Sequence, residues 1–360
     1  MSANGLNPFQ FELYNLLYIF TYMHQHPMVL GVMFLFGACF GSFFHLVAHR
    51  FLAEKSIIAP SSHCSSCQKE LAWYDNIPIV SYCILMGKCR NCGVRYGIDS
   101  VVTEIITGVL FAAIIYFCGF SWQALFLLFL VSNLVIITLT DLKESLIFQI
   151  NSLTLIPAGL VYSFFNLGDF PTWVHAPIGP VFTIPLSFAD IAIQYPIASA
   201  FLGIALAFVF FEGIIFLSRM FLGTDGFGHG DTHLMMGVGA YLGWEQMGIA
   251  LLFGFILQSI LAIPMLLVGW VKKGQWNAII TGVFSVVFAL MPLFADMVSA
   301  VTGLNPFTVV LISAGGALVS LLFFLRQLRH QTEYVYIPLG PALVLGTLIV
   351  LFANLIGRSA

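Results

Sequence analysis

Two aspartates stand where the chain leaves long apolar runs. Asp141 follows the run Leu125 to Leu139, in Thr140-Asp141-Leu142-Lys143. Asp231 sits in Phe227-Gly228-His229-Gly230-Asp231-Thr232-His233-Leu234, between an apolar run that ends at Leu217 and another that begins at Leu234. A carboxylate at the mouth of a membrane helix is costly to keep charged, so it needs a partner, a water pocket or a task. Two of them at two helix ends suggest an acid/base pair. Carboxylates a few Å apart cannot both ionise cheaply, so they share a proton and titrate as a unit. One can then take a proton from water as it attacks a carbonyl, while the other donates to the carbonyl oxygen. Such chemistry requires no metal and no covalent intermediate. Gly228 and Gly230 would let the backbone turn sharply and another chain lie against Asp231. Lys143 and His233, each two residues past an aspartate, are placed to tune the pair. Gly228, Gly230, His233 and Lys143 are therefore the residues expected to meet a substrate. Taken singly, Asp141 beside Lys143 reads equally well as an interfacial charge pair, and Asp231 as a helix cap.

Four of the seven cysteines form Cys64-Ser65-Ser66-Cys67 and Cys89-Arg90-Asn91-Cys92, two C-x2-C pairs with 21 residues between them. A two-residue gap lets both thiolates of a pair reach one ion, and four thiolates close a tetrahedral shell, which is the pattern of a structural zinc site. Disulfides are the alternative, and a reducing compartment would disfavour them. His63 reads as a neighbour of the site. Cys39 and Cys118 fall in apolar runs and suit a small apolar role.

The elements that must position these groups are membrane helices. The chain of 360 residues is 60% hydrophobic and 8% charged, with a mean hydropathy of +0.98. A soluble domain carries about 25% charged residues, so this composition excludes one. There is no basic stripe for nucleic acid, and residues 1–27, rich in aromatics, lack the features of a cleaved signal peptide. The pattern predicts an all-α polytopic membrane protein with about nine or ten transmembrane helices. Expected spans are 28–49, 101–118, 123–140, 150–166, 197–218, 232–243, 246–270, 277–300, 306–325 and 335–356. The organisation expected is an N-terminal segment with the first helix (1–50), a zinc-binding insert (51–100) and a membrane core (101–270). An inserted hairpin (271–333) and the last helix (334–360) follow. Residues 167–196, with five prolines, read as a loop. Placing the insert in the cytoplasm and alternating spans puts 12 of the 13 Lys and Arg residues inside, all but Arg358. This requires 232–243 to cross and 246–270 to return. Asp141 and Asp231 then lie at the cytoplasmic face. Within the spans, Glu212 is placed to pair with Arg219, and Glu104 serves as a helix cap or as part of a second site.

The insert closely resembles the cytoplasmic loop of the type IV prepilin peptidases. The resemblance rests on His63-Cys64-x-x-Cys67, on Leu71-Ala72-Trp73-Tyr74-Asp75-Asn76-Ile77-Pro78 and on Gly87-Lys88-Cys89-Arg90-Asn91-Cys92-Gly93. Gly41-Ser42-Phe43, Asp141-Leu142, Gly228-x-Gly230-Asp231, Gly237 to Trp244 and Ile337-Pro338-Leu339-Gly340-Pro341 follow the same family in the same order. The resemblance implies that Asp141 and Asp231 are the two acids of a membrane aspartic protease. It would cut prepilins and pseudopilins after a leader glycine, at the cytoplasmic face of the bacterial inner membrane. It also implies methylation of the new N-terminus with S-adenosylmethionine. The chain departs from the family at Ile147-Phe148-Gln149-Ile150-Asn151, longer by about two residues than the usual Ile/Leu-Pro-Asp stretch and lacking its proline, at His233 in place of lysine, and at His45 in place of asparagine. The 277–325 hairpin looks like an insertion. Competing readings are a presenilin-like protease, suggested by Gly228-x-Gly230-Asp231 and Pro341-Ala342-Leu343, and a non-catalytic zinc-dependent scaffold. The first does not explain the cysteines, and the second would tolerate loss of either aspartate.

Overall fold

A computed structural model describes residues 23–57, 62–64, 66–165, 196–223, 228–272, 274, 276–291 and 338–359, with isolated positions between 299 and 316. Most of the aromatic N-terminal segment, the proline-rich loop and the second arm of the 277–325 hairpin lie outside the described residues. Helices dominate what is described: α1 (Pro27–Leu52), α2 (Val80–Leu85), α3 (Asp99–Cys118), α4 (Trp122–Glu144) and α5 (Gln149–Phe165). They are followed by α6 (Pro196–Leu222), α7 (His229–Lys272), α8 (Trp276–Leu290) and α9 (Gly340–Ser359).

Local chemistry sets the helix ends. Pro27 fixes φ in the first turn of α1, and His26 Nδ1 accepts the Met28 N–H at 3.3 Å. Gly119, at φ 61°, stops α3, and Ser121 Oγ accepts the Ala124 N–H at 3.2 Å to start α4. Ser145, at φ 52°, ends α4 by donating its N–H to Asp141 O at 2.8 Å.

Six of the described helices are long and apolar enough to cross a bilayer. Nine or ten were expected over the whole chain, and the lower number among the described residues has identifiable reasons. α5 is described over 17 residues, up to the last described position before the proline-rich loop, and the expected span at 277–300 is described continuously only as far as 291. The expected span at 306–325 lies mostly outside the described residues. The segments 232–243 and 246–270, expected as a crossing and a return, are the two arms of α7 and are counted once in that six.

α7 nevertheless folds back on itself. It breaks at Gly243, whose φ of 76° and ψ of 174° suit only glycine. Before the break, Thr232 meets Glu212, Gly239 meets Gly203, and Gly243 meets Ser199, so this first arm runs antiparallel to α6. After it, Gln246 Oε1 accepts Asn354 Nδ2 at 2.8 Å and Gly254 meets Leu343, so the second arm runs antiparallel to α9. Because α9 starts beside Asp141, the second arm returns to the end where the first began.

The fully buried core is formed by Leu127, Leu130, Leu134 and Ile137 of α4 with Leu155, Phe211, Leu234 and Leu343. Small residues bring the helices close. A Cβ on Gly237 would stand 2.5 Å from Leu155 Cβ, and one on Gly159 would stand 2.6 Å from Ala240 Cβ. Outward-facing Val109, Phe208 and Val209 are exposed, as suits a surface covered by lipid. The molecule is a multi-pass membrane protein.

Candidate active site and metal centre

Asp141 occupies the last turn of α4 and Asp231 the first turn of α7. Both are buried, at 2% and 4% exposure, and Asp231 lies within coulombic reach of Asp141. Asp141 Oδ2 accepts the Gly340 N–H at 2.8 Å. That N–H belongs to the first turn of α9, where backbone donors have no helical partner and favour a negative group. A Cβ on Gly340 would stand 2.6 Å from the same oxygen, so only glycine allows this approach unchanged. The Asp231 N–H donates to Gly228 O at 3.1 Å, while Asp231 Oδ1 is buried without a hydrogen-bond partner. A buried orphan oxygen between two helix ends is a place for a proton, a water or a substrate group.

Gly228 and Gly230 differ in their surroundings. A Cβ on Gly230 would stand 2.6 Å from Ile147 Cβ, so the missing side chain lets the α4–α5 connection lie against the start of α7. At Gly228 the nearest heavy atoms to such a Cβ are 3.9 Å away, leaving room on the side of Asp231. Lys143 contacts His49 Nε2 of α1 through its Nζ. An ammonium group only donates, so His49 accepts at Nε2 and carries its own proton on Nδ1. His45 lies 4.8 Å from His49 between ring centroids, with its Nε2 buried and unpaired. His233 faces the neighbourhood of Glu212 and His229, and its Nδ1 is also buried and unpaired. Glu212 reaches Arg219 through His229: His229 Nδ1 is 2.9 Å from Glu212 Oε1, and His229 Nε2 is 3.4 Å from Arg219 Nη2.

Sequence reasoning did not assign Gly340, His49, Thr232 or Ile147 to the site. The one available signal was Leu339-Gly340-Pro341, a glycine ahead of a proline that opens a helix. Such a glycine offers a free N–H where no side chain intrudes.

The insert is built as two matching turns. Gln68, at φ 57°, follows Cys67, and Gly93, at φ 70°, follows Cys92. The Cys64 N–H donates to Lys69 O, and Cys64 O accepts the Gln68 N–H; the Cys89 N–H donates to Val94 O, and Cys89 O accepts the Gly93 N–H in the same way. The bridges His63–Glu70 and Lys88–Arg95 flank the turns. All four Sγ atoms lie within 4.8 Å of one another, and Cys64 Sγ is 3.8 Å from Cys92 Sγ. Metal–sulfur bonds of about 2.3 Å give a tetrahedron with edges of about 3.8 Å, so the four thiols fit one metal ion. None of the four is in a disulfide. Backbone N–H groups of Cys67 and Ser66 pull the Cys64 thiol down to about 6. At Cys92 the downward pull of the Val94 N–H is outweighed by desolvation and the neighbouring thiols, which push it up to about 11, so the four sulfurs titrate as a cluster. Beside the cluster, Arg90 makes a fork with Asp75, the shortest bond at 2.7 Å, and lies 5.3 Å from the centroid of the Tyr74 ring.

Glu104 ties this insert to the membrane helices. It is 5% exposed, accepting the Ile79 N–H at 2.8 Å on Oε2 and the Ser100 hydroxyl at 3.1 Å on Oε1. The insert thereby hangs from the same end of the bundle as the two aspartates.

The N-terminal portion, residues 35–118, matches the model of the bacterial peptidase A24 N-terminal domain. A prepilin leader peptidase/N-methyltransferase of Klebsiella pneumoniae is 30% identical over 235 residues, 63% of this chain and 92% of that protein. Its counterpart in Pseudomonas aeruginosa is 26% identical over 272 residues, 69% of this chain and 85% of that one. The one in Myxococcus xanthus is 29% identical over 246 residues, 67% of this chain but only 64% of the relative. No solved structure matches the chain. The similarity runs well beyond the insert, over a chain that brings two buried aspartates together and gathers four thiols; the protein therefore belongs to the family of prepilin leader peptidase/N-methyltransferases.

Proposed function

We propose that the protein is a membrane aspartic endopeptidase. It removes the leader of prepilins and pseudopilins after a glycine, at the cytoplasmic face of the inner membrane, with Asp141 and Asp231 as the catalytic pair. The observation that carries this reading is that two buried carboxylates from distant helix ends lie within coulombic reach of each other, one capped by a backbone N–H and one holding an orphan oxygen. Asp141, with Gly340 N–H on Oδ2, is the member suited to stay ionised and draw a proton from water. Asp231 is suited to hold the shared proton and donate it to the scissile carbonyl oxygen. The leaving amine takes a proton as the tetrahedral adduct collapses. The open flank of Gly228 gives an extended substrate strand space beside Asp231.

The metal of the insert is proposed to be zinc in a structural role. Four thiolates leave no open position for a reacting ligand, and an insert of this size lacks a core of its own. Methylation of the new N-terminus, with S-adenosylmethionine as donor, is the second half of the proposal and rests on the family. Glu104, a buried carboxylate at the junction with the insert, accepts hydrogen bonds on both oxygens, from Ile79 and Ser100.

The test is cleavage of a prepilin by the purified protein in detergent, beside Asp141→Asn and Asp231→Asn. Both variants are expected to fold, bind metal and lose cleavage. An Asn variant that cuts as well as wild type removes that aspartate from the mechanism. Mass spectrometry of the cleaved N-terminus reads out methylation in the same experiment.

A further inference from the structure

A second polar cluster lies on the opposite flank of the Asp231 turn. Glu212 stands in an apolar stretch of α6, where a carboxylate needs a strong reason to be kept. Its Oε1 meets His229 Nδ1 at 2.9 Å and accepts the Thr232 hydroxyl at 3.3 Å. On the far side of the imidazole, Arg219 Nη2 is 3.4 Å from His229 Nε2. A carboxylate only accepts, so His229 carries a proton on Nδ1 and donates it to Glu212. Arg219 is thus linked through the imidazole to the carboxylate of Glu212, and Thr232 adds a second donor to it.

The register of these contacts matters. His229 and Thr232 are three apart and share one face of the first turn of α7. Asp231 lies between them in sequence and projects from another face, toward α4 and α9. Glu212 therefore grips the turn on both sides of Asp231 in sequence without touching the aspartate. Two contacts from one oxygen fix the rotation of the turn about its axis. A carboxylate some 5–6 Å from the axis moves about 1 Å for a rotation of about 10°.

We infer that Glu212 is a positioning residue of the peptidase, acting through His229 and Thr232 to hold Asp231 in register with Asp141. The inference rests on the proposed peptidase reading. It requires no proton transfer to Glu212, only that an oxygen be present to accept two hydrogen bonds. A misplacement of about 1 Å at a reacting group costs on the order of tenfold to a hundredfold in rate.

The experiment compares wild type, Glu212→Ala, Glu212→Gln and Asp231→Asn in single-turnover cleavage of a prepilin with enzyme in saturating excess. A rate constant measured this way does not depend on the fraction of enzyme that is active. Glu212→Ala is expected to fall at least about tenfold in this rate constant, with steady-state KM within about twofold of wild type. Glu212→Gln, which keeps the accepting oxygen, should recover most of the loss. An alanine variant within twofold of wild type overturns the inference, and so does a glutamine variant as slow as alanine. If wild type fails to cut, or Asp231→Asn cuts at the wild-type rate, the peptidase reading itself has failed. That outcome is separate from either Glu212 result.

Discussion

Gly340→Ala isolates the one backbone contact that fixes Asp141. The added Cβ would lie 2.6 Å from Asp141 Oδ2, 3.2 Å from Cγ and 3.4 Å from Cβ. Ordinary contact begins near 3.4 Å, so the carboxylate or the start of α9 must retreat by about 0.8 Å. A retreat of that size along the contact stretches the 2.8 Å bond from Gly340 N–H to about 3.6 Å, outside hydrogen-bond range. Asp141 then loses its N–H donor and its alignment with Asp231 together. The expected cost is about 30-fold in kcat, or about 2 kcal/mol of transition-state stabilisation, with KM nearly unchanged. Gly357→Ala in the same helix is the control, because a Cβ there meets nothing within 4 Å. The assay is steady-state prepilin cleavage in detergent, with metal content and thermal unfolding recorded for each variant. A folded, metal-loaded Gly340→Ala enzyme with kcat within twofold of wild type would show that this contact does not organise the acid pair.

Three further perturbations address the insert and the packing beneath the site. Cys64→Ser removes one of four thiolates, and bound metal should fall from one per chain to a small fraction by elemental analysis; full retention would assign the metal elsewhere. Glu104→Ala leaves the Ile79 N–H and the Ser100 hydroxyl without their partner, at roughly 1–3 kcal/mol, and should speed limited proteolysis within the insert. An unchanged digestion pattern would mean that the insert is held by other contacts. Gly237→Ala forces a Cβ to 2.5 Å from that of Leu155, and overpacking of this kind costs about 1–3 kcal/mol, read as a lower Tm. Adding Leu155→Ala should return part of that loss, and a double variant no better than additive would refute the contact.

What the sequence disclosed was chemistry that depends on few residues. Acids are rare in apolar runs, so Asp141 and Asp231 stood out before any fold was known, and the paired cysteine spacing implied four thiols around one point. The structure gathers those thiols and brings both acids to one end of the bundle. Contacts made by the backbone or set by helix register were not legible. Nothing in the composition around Gly340 states that its N–H will meet an oxygen from α4. Glu212 was conspicuous as a lone carboxylate in α6, and Arg219, one candidate partner, lay seven residues on. Its observed partners, His229 and Thr232, follow from how α6 packs against the first arm of α7, which neither helix specifies alone. The reversal of α7 was legible, because Gly243 and the polar residues Glu245 and Gln246 interrupt the apolar run between 232–243 and 246–270.

The reversal at Gly243 sets a length as well as a direction. From His229 to Leu242 the first arm has 14 residues and rises about 21 Å, against a hydrocarbon thickness of about 30 Å. Such a mismatch is met by thinner lipid around the arm or by water entering from the end that carries Asp231. Either accommodation would let the polar phase reach deeper on this side of the bundle. A hydrolase needs that dip in the membrane surface, because its second substrate is water.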